Sequence, residues 1–243
     1  MKKKKVNNSD VSAMRKGRKD TFHEFMIVNA DFDGYWEFPR VPDNVYSIPT
    51  MLVPYDQRKN KNELEGTKFI HFFIDDYKFD GPNGIWNGAS KNFEQIRGFS
   101  INSIKQYDGI IGPDFTMGYG FPLGTQFDCC RRRRYFEYWL TTLGFQVIPF
   151  VRWTDERSYD FCFLGLTKGG TVAVSTFGSM KEKYLRDNYK KGLNELLKRI
   201  EPRVLVVYGK MYDNIFDIVD TTKVTIVHFE SDLSIFRGEK NGN

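Results

Sequence analysis

The chain is poor in the residues that carry the most recognisable chemistry. It holds three cysteines and three histidines in 243 residues. Cys129 and Cys130 are adjacent and Cys162 stands apart. That placement makes neither a disulfide framework nor a zinc-ligand pattern, and it suits a reducing compartment. His23, His71 and His228 are scattered, with none spaced to activate a thiol, although Cys129 and Cys130 fall near a helix start, where a thiol pKa can drop. No apolar run approaches the ~20 residues of a bilayer-spanning helix, and no apolar signal-peptide core follows the first lysines. Neither a Gly-x-Gly-x-x-Gly turn after the first strand nor a Walker loop is present, so the two common nucleotide signatures are missing. These absences turn the reading away from secreted, membrane-spanning and Cys-zinc proteins and towards a cytoplasmic one.

Aromatic residues are abundant, with 22 Phe and 13 Tyr, and the formal net charge is a mild +5. That composition argues for a packed core, and the length suits one domain plus an extension. Three segments follow from the patterning. Residues 1–20 are a basic arm (Lys2 to Lys5, Arg15, Lys16, Arg18, Lys19) that reads as a flexible solubilising tail or an electrostatic arm for a polyanion. Residues 21–68 are an irregular, aromatic-rich wrap punctuated by Pro39, Pro42, Pro49 and Pro54, with an exposed loop at Lys59–Glu63. Residues 69–236 alternate strands and helices, with a polar tail after Phe236.

Within that core the apolar runs Phe69–Ile74, Gly109–Gly112, Gln146–Val151, Thr171–Val174, Val204–Val207 and Val224–Val227 read as buried strands. Tyr159–Leu164 reads as a further strand or extended segment. Thr125, with Asp128 after it, predicts the N-cap of a helix that ends at Gly144. Ser179 with Glu182 predicts a capping box for a helix whose inner stripe is Leu185, Tyr189, Leu193, Leu196 and Ile200, closed by Pro202. Lys91–Ile104 and Met211–Val219 could each hold a helix. The alternation predicts an α/β fold with a mostly parallel sheet, either barrel-like, as an incomplete (β/α) barrel, or open with helices on both faces. The barrel-like form is the preferred expectation.

In both architectures ligand sites form at the carboxyl ends of parallel strands. Those ends carry Asp75 and Asp76, Asp114, Arg152, Ser175 and Thr176, Tyr208 and Gly209, and His228. Asp75, Asp76 and Asp114 are oxygen ligands suited to a divalent cation, Mg or Mn. With Arg152 and His228 they make the candidate catalytic set. Arg132, Ser175, Thr176, Tyr208 and Gly209 are the candidate substrate-binding set, arginine being suited to a phosphate oxyanion. Arg131–Arg134 fan around a helix at ~100° per residue. Arg132, four residues before Phe136, shares the core-facing stripe and needs an anionic partner: a structural acid, Asp114 or a bound anion. No organic cofactor is indicated.

The succession Phe73-Ile74-Asp75-Asp76-Tyr77, Gly112-Pro113-Asp114-Phe115, Val147-Ile148-Pro149 with Arg152-Trp153, Val174-Ser175-Thr176 with Gly178, and Val207-Tyr208-Gly209 resembles the family catalogued as domain of unknown function 4417. The resemblance covers roughly residues 69–209. It implies the cytoplasm of a bacterial host and a phage or mobile-element context, and it supplies no established catalytic residue. The leading expectation is action on nucleic acid or nucleotides, by metal-dependent, nuclease-like phosphoryl transfer. The alternative is a non-catalytic nucleotide or nucleic-acid binding module in phage replication or counter-defence. A glycoside hydrolase using a carboxylate pair fits the basic arm and cytoplasmic setting poorly.

Overall fold

The computed structural model describes residues 22–59, 65–82, 84–89, 106–178 and 180–231. The basic arm, most of the Lys59–Glu63 loop, the Lys91–Ile104 helix, Ser179 and the polar tail lie outside them.

A short antiparallel pair, β1 (Phe32–Asp33) and β2 (Phe38–Pro39), opens the chain. Four parallel strands follow in sequence order, β3 (Met51–Pro54), β4 (Lys68–His71), β5 (Gly109–Ile111) and β6 (Gln146–Ile148). Three more, β7 (Thr171–Ser175), β8 (Val204–Tyr208) and β9 (Thr225–Phe229), pair in parallel as a second sheet. One parallel bridge, Phe150 to Ala173, joins the two: Ala173 N–H donates to Pro149 O at 2.9 Å and Val151 N–H to Ala173 O at 2.8 Å. Helix α1 (Leu123–Thr142) connects β5 to β6, α2 (Lys183–Ile200) connects β7 to β8, and α3 (Asp213–Phe216) lies between β8 and β9.

The strands alternate faces as extended chain must. Ile70, Ile110, Val147, Val172, Val174, Leu205 and Val207 pack into the core shared with α1 and α2. The other face packs on itself through Phe69, Phe73, Ile148, Phe150, Val206 and Tyr208. Phe73, just past β4, stacks on Tyr208 of β8 at 4.4 Å between ring centroids, and His71 lies 5.0 Å from Tyr208. Strands four places apart in a flat sheet stand ~19 Å from one another at the usual spacing. The contact therefore requires the sheet to be rolled. The roll is open: no ladder joins β9 to β3 among the described residues. The expected α/β class with a parallel sheet holds, and a closed barrel does not form.

Four local expectations are corrected, the first being the Ser179–Glu182 capping box: α2 begins at Lys183 with Glu182 itself at the N-cap and no side-chain cap. Met51–Pro54, assigned to the irregular wrap, is the edge strand β3; an edge tolerates Pro54 because the missing N–H faces away from the ladder. Tyr159–Leu164 is not a strand. A 3-10 helix covers Glu156–Asp160, its start capped by Asp155, which accepts from Arg157 N–H, and turns follow. Helix α1 begins at Leu123, before Thr125, with Pro122 at the N-cap and no side-chain cap.

Helix α1 is central, and its burial explains the arginine run. Arg133 and Arg134 are fully buried. Arg134 forms an ion pair with Glu137, also fully buried, and donates to Leu164 O at 2.9 Å and Phe150 O at 3.1 Å. Glu137 also accepts from Phe150 N–H at 2.8 Å. This pair ties α1 to the end of β6 and to the segment before β7. Gly112 makes room for it, since a Cβ there would stand 1.8 Å from Glu137 Oε1.

Candidate functional site

Past the end of β6, Arg152 donates from Nη1 to Asp114 Oδ2 at 2.9 Å. Asp114 itself lies just past β5, and its other oxygen is 3.9 Å from Arg133 Nη2. Arg133 is anchored by donating to Pro113 O at 2.8 Å and Phe115 O at 3.1 Å. Asp76 follows β4 and accepts twice from Thr116, at 3.0 Å from N–H and 2.7 Å from the hydroxyl. The strand ends thus bring Asp76, Asp114 and Arg152 to one pole. Burial raises the Asp114 pKa, Arg152 and Arg133 oppose that rise, and the charge of Asp76 adds to it. Among the described residues, no group of three or more His, Cys, Asp or Glu converges as a metal site.

The remaining candidates lie elsewhere. Asp75 is exposed. Arg132 pairs with Asp80 at 2.6 Å, and its guanidinium covers the Phe115 ring at 4.2 Å, so the neighbouring Arg133 is the arginine of the run that reaches Asp114. Ser175, Thr176, Tyr208, Gly209 and His228 bind the ends of β7, β8 and β9 to one another. Thr176 N–H donates to Tyr208 O at 3.0 Å, Gly209 N–H donates to Phe229 O at 2.8 Å, and a His228 ring nitrogen meets Gly209 O at 2.7 Å. Ser175 Oγ accepts from Phe177 N–H at 3.1 Å. Tyr208 is buried on the rolled face.

Beside Arg152 lies a cleft of about 250 Å³, walled by Tyr119, Trp153, Tyr184 and Tyr189, with Thr154 and Gly178 also lining it. Trp153 and Tyr189 are in ring contact at 5.0 Å, and Tyr119 and Tyr184 meet edge-on at 5.2 Å nearer the surface. Tyr189 is 7% exposed, and its hydroxyl has no hydrogen-bond partner among the described residues. Burial pushes its phenol pKa up, and Arg152 opposes the rise. Trp153 sits against α2 at Gly192, where a Cβ would fall 2.1 Å from the indole nitrogen. The sequence signal for this cleft was the aromatic beside Arg152 at a strand end. Tyr189 was read as core, and it serves core and cleft together.

Cys129, Cys130 and Cys162 are buried and free. Burial raises all of their thiol pKa values, that of Cys130 to about 11. A chromogenic disulfide reagent is expected to label the native protein slowly and all three thiols rapidly after unfolding; fast native labelling of one would contradict this burial.

A rolled parallel sheet with an arginine- and tyrosine-walled cleft at its strand ends defines an α/β protein with a cleft at the carboxyl pole. The chain belongs to the family described as Domain of unknown function (DUF4417), whose model matches residues 30–230. It is similar to the Gene 1 protein of Mycobacterium phage L5, 30% identical over 165 residues, covering 68% of this chain and 67% of that protein. It is also similar to the Gene 1 protein of Mycobacterium phage D29, 29% identical over 178 residues, covering 72% of this chain and 61% of that protein. The family is therefore phage-associated, and the match spans about two thirds or less of these relatives. No solved structure matches the chain. No helix among the described residues is long and apolar enough to cross a membrane.

Proposed function

We propose that the cleft beside Arg152 binds a nucleotide or the end of a nucleic-acid strand, in the service of a phage or mobile element in the cytoplasm of a bacterial host. The observation that carries this reading is one cleft combining Arg152 with four aromatic side chains. A guanidinium offers planar paired donors to phosphate. Aromatic rings offer a face to any base. The Tyr189 hydroxyl, buried without a partner among the described residues, supplies a donor for a phosphate or base oxygen. The net charge of +5 favours a polyanion over a neutral ligand.

A second reading, Mg- or Mn-dependent phosphoryl transfer with Asp76 and Asp114 as cation ligands, is favoured by one observation. Asp76 is close enough for its charge to raise the Asp114 pKa, and a divalent cation between two such carboxylates relieves that repulsion. Asp75, Arg132 and His228 are not needed by either reading.

Thermal unfolding with nucleotides and short oligonucleotides, with and without Mg²⁺ or Mn²⁺, tests both. A ligand of the native state at a hundred times its Kd stabilises by about 2.7 kcal/mol. The midpoint is expected to rise with phosphorylated ligands, and Arg152→Met is expected to lose most of that rise. A metal-dependent rise that disappears in Asp114→Asn supports phosphoryl transfer and calls for a turnover assay. A rise with oligonucleotide alone, unchanged in Asp114→Asn, sinks the metal site and leaves a binding module. No rise with any ligand sinks both.

A further inference from the structure

The Asp76–Thr116 hydrogen bonds join the segment that lines the cleft to the segment that lines a second hollow. The second, of about 320 Å³, is lined by Tyr55, Arg58, Tyr77, Lys78 and Asp80. The Arg58 guanidinium lies 3.9 Å above the Tyr55 ring. Lys78 pairs with Asp56 at 3.0 Å, and Tyr77 is 78% exposed. Asp76 immediately precedes Tyr77, and Thr116 immediately precedes Met117, which lines the first cleft. A single residue on either side of this link therefore enters one hollow or the other. The first hollow combines Arg152, and the second Arg58 and Lys78, with tyrosines.

The exposed rings follow the same plan. Outside the N-terminal wrap, the large exposed apolar side chains among the described residues are Tyr77, Tyr119, Phe121, Leu123, Phe177 and Tyr184. All of them come from chain that follows the carboxyl end of β4, β5 or β7. Rings left in water at one pole, interleaved with Arg58, Lys78 and Arg152, match the composition of a single-strand track, in which bases stack and cations follow the backbone. A duplex keeps its bases stacked on one another and offers these rings no face.

Building on the nucleotide reading above, we propose that the two hollows form one continuous track for single-stranded nucleic acid, crossing the Asp76–Thr116 link with a stacked base on either side. The ligand is then an oligonucleotide and not a mononucleotide.

The test is fluorescence anisotropy of labelled oligothymidylates of increasing length, with thymidine monophosphate and a short duplex as competitors, on the full chain. Affinity is expected to rise with length until the strand reaches both hollows. Tyr184→Ala, in the first cleft, is expected to weaken binding at every length. Tyr77→Ala, in the second, is expected to weaken the long strands only, each by roughly five- to hundredfold for a lost stacked base. Both side chains are solvent-exposed, so unchanged unfolding midpoints will confirm that the variants fold. If thymidine monophosphate competes as well as a long strand, or Tyr77→Ala leaves long-strand affinity intact, the track is wrong and the single-cleft reading survives. If the duplex binds as tightly as the single strand, the track is also wrong. If no nucleotide or strand binds, both the track and the nucleotide reading fall.

Discussion

Replacing Glu137 with alanine is expected to cost about 3–5 kcal/mol, the usual penalty for leaving one member of a buried ion pair uncompensated. Arg134, 2% exposed, loses its carboxylate and keeps only main-chain oxygens. Phe150 N–H, which donates to Glu137 at 2.8 Å, also loses its acceptor. A domain of this size typically has a total stability of about 5–15 kcal/mol, so the variant should be largely unfolded on mild heating. Two companions separate charge from packing. Gly112→Ala, which keeps the pair but drives a methyl into it, should also destabilise. Arg134→Met combined with Glu137→Leu should recover much of the loss, since removing both charges avoids the stranded one. Denaturant midpoints of these variants decide the matter: an alanine variant within 1 kcal/mol of wild type would show that the pair contributes little.

Acid should destabilise the protein through His71. Burial alone holds its pKa down at about 3, against about 6.5 in an unfolded chain. Nδ1 accepts from Phe73 N–H at 3.1 Å, while Nε2 is buried without a partner among the described residues. Phe73 and Tyr208 lie against the ring. Because the folded value is the lower one, the unfolded chain takes up a proton that the folded chain refuses. Stability contributed by the neutral ring is complete above pH 6.5 and falls as the pH drops from there towards 3. The slope is about 1.4 kcal/mol per pH unit, so some 2 kcal/mol is lost between pH 6.5 and 5. His71→Phe removes this titration. It costs stability at neutral pH, where Phe73 N–H loses its acceptor, and the gap to wild type should narrow by about 2 kcal/mol on going from pH 7 to pH 5. Carboxylates titrate in both proteins and largely cancel in the comparison. An equal gap at both pH values would mean that the ring is reachable by water.

The sheet was legible in the chain where strands are buried on both faces, because Val204–Val207 or Thr171–Val174 must then be apolar without interruption. Met51–Pro54 escaped because an edge strand beside Pro49 carries the same residues as a loop. Tyr159–Leu164 misled because its aromatic run packs through a 3-10 turn set by Asp155 and Ser158, whose hydrogen bonds outweigh the alternation. The arginine run was the hardest. A helix stripe assumes one buried side, yet α1 is covered by the sheet and by the wrap: Phe25 meets Trp139 at 5.6 Å and Phe38 meets Phe127 at 5.3 Å. Consecutive arginines can then both be interior. For the candidate site, the strand-end rule named Asp76, Asp114 and Arg152, which the structure brings to one pole. It also gathered Ser175, Thr176, Gly209 and His228, which stitch the strand ends together, because position along a strand does not tell a lining residue from a fastening one.

Gly192 carries a consequence for how the cleft behaves. The indole of Trp153 rests where that glycine lacks a side chain, and the same helix carries Tyr184 and Tyr189, the latter in ring contact with Trp153. Trp153 is thus seated directly on the helix that carries both tyrosines. Trp153 cannot part from α2 without leaving that seat, and Leu193 and Leu196 hold α2 on the core. The Trp153 side of the cleft is thus pre-formed by the absence of one methyl group, and a molecule packing against it would lose little affinity to rearranging the protein there.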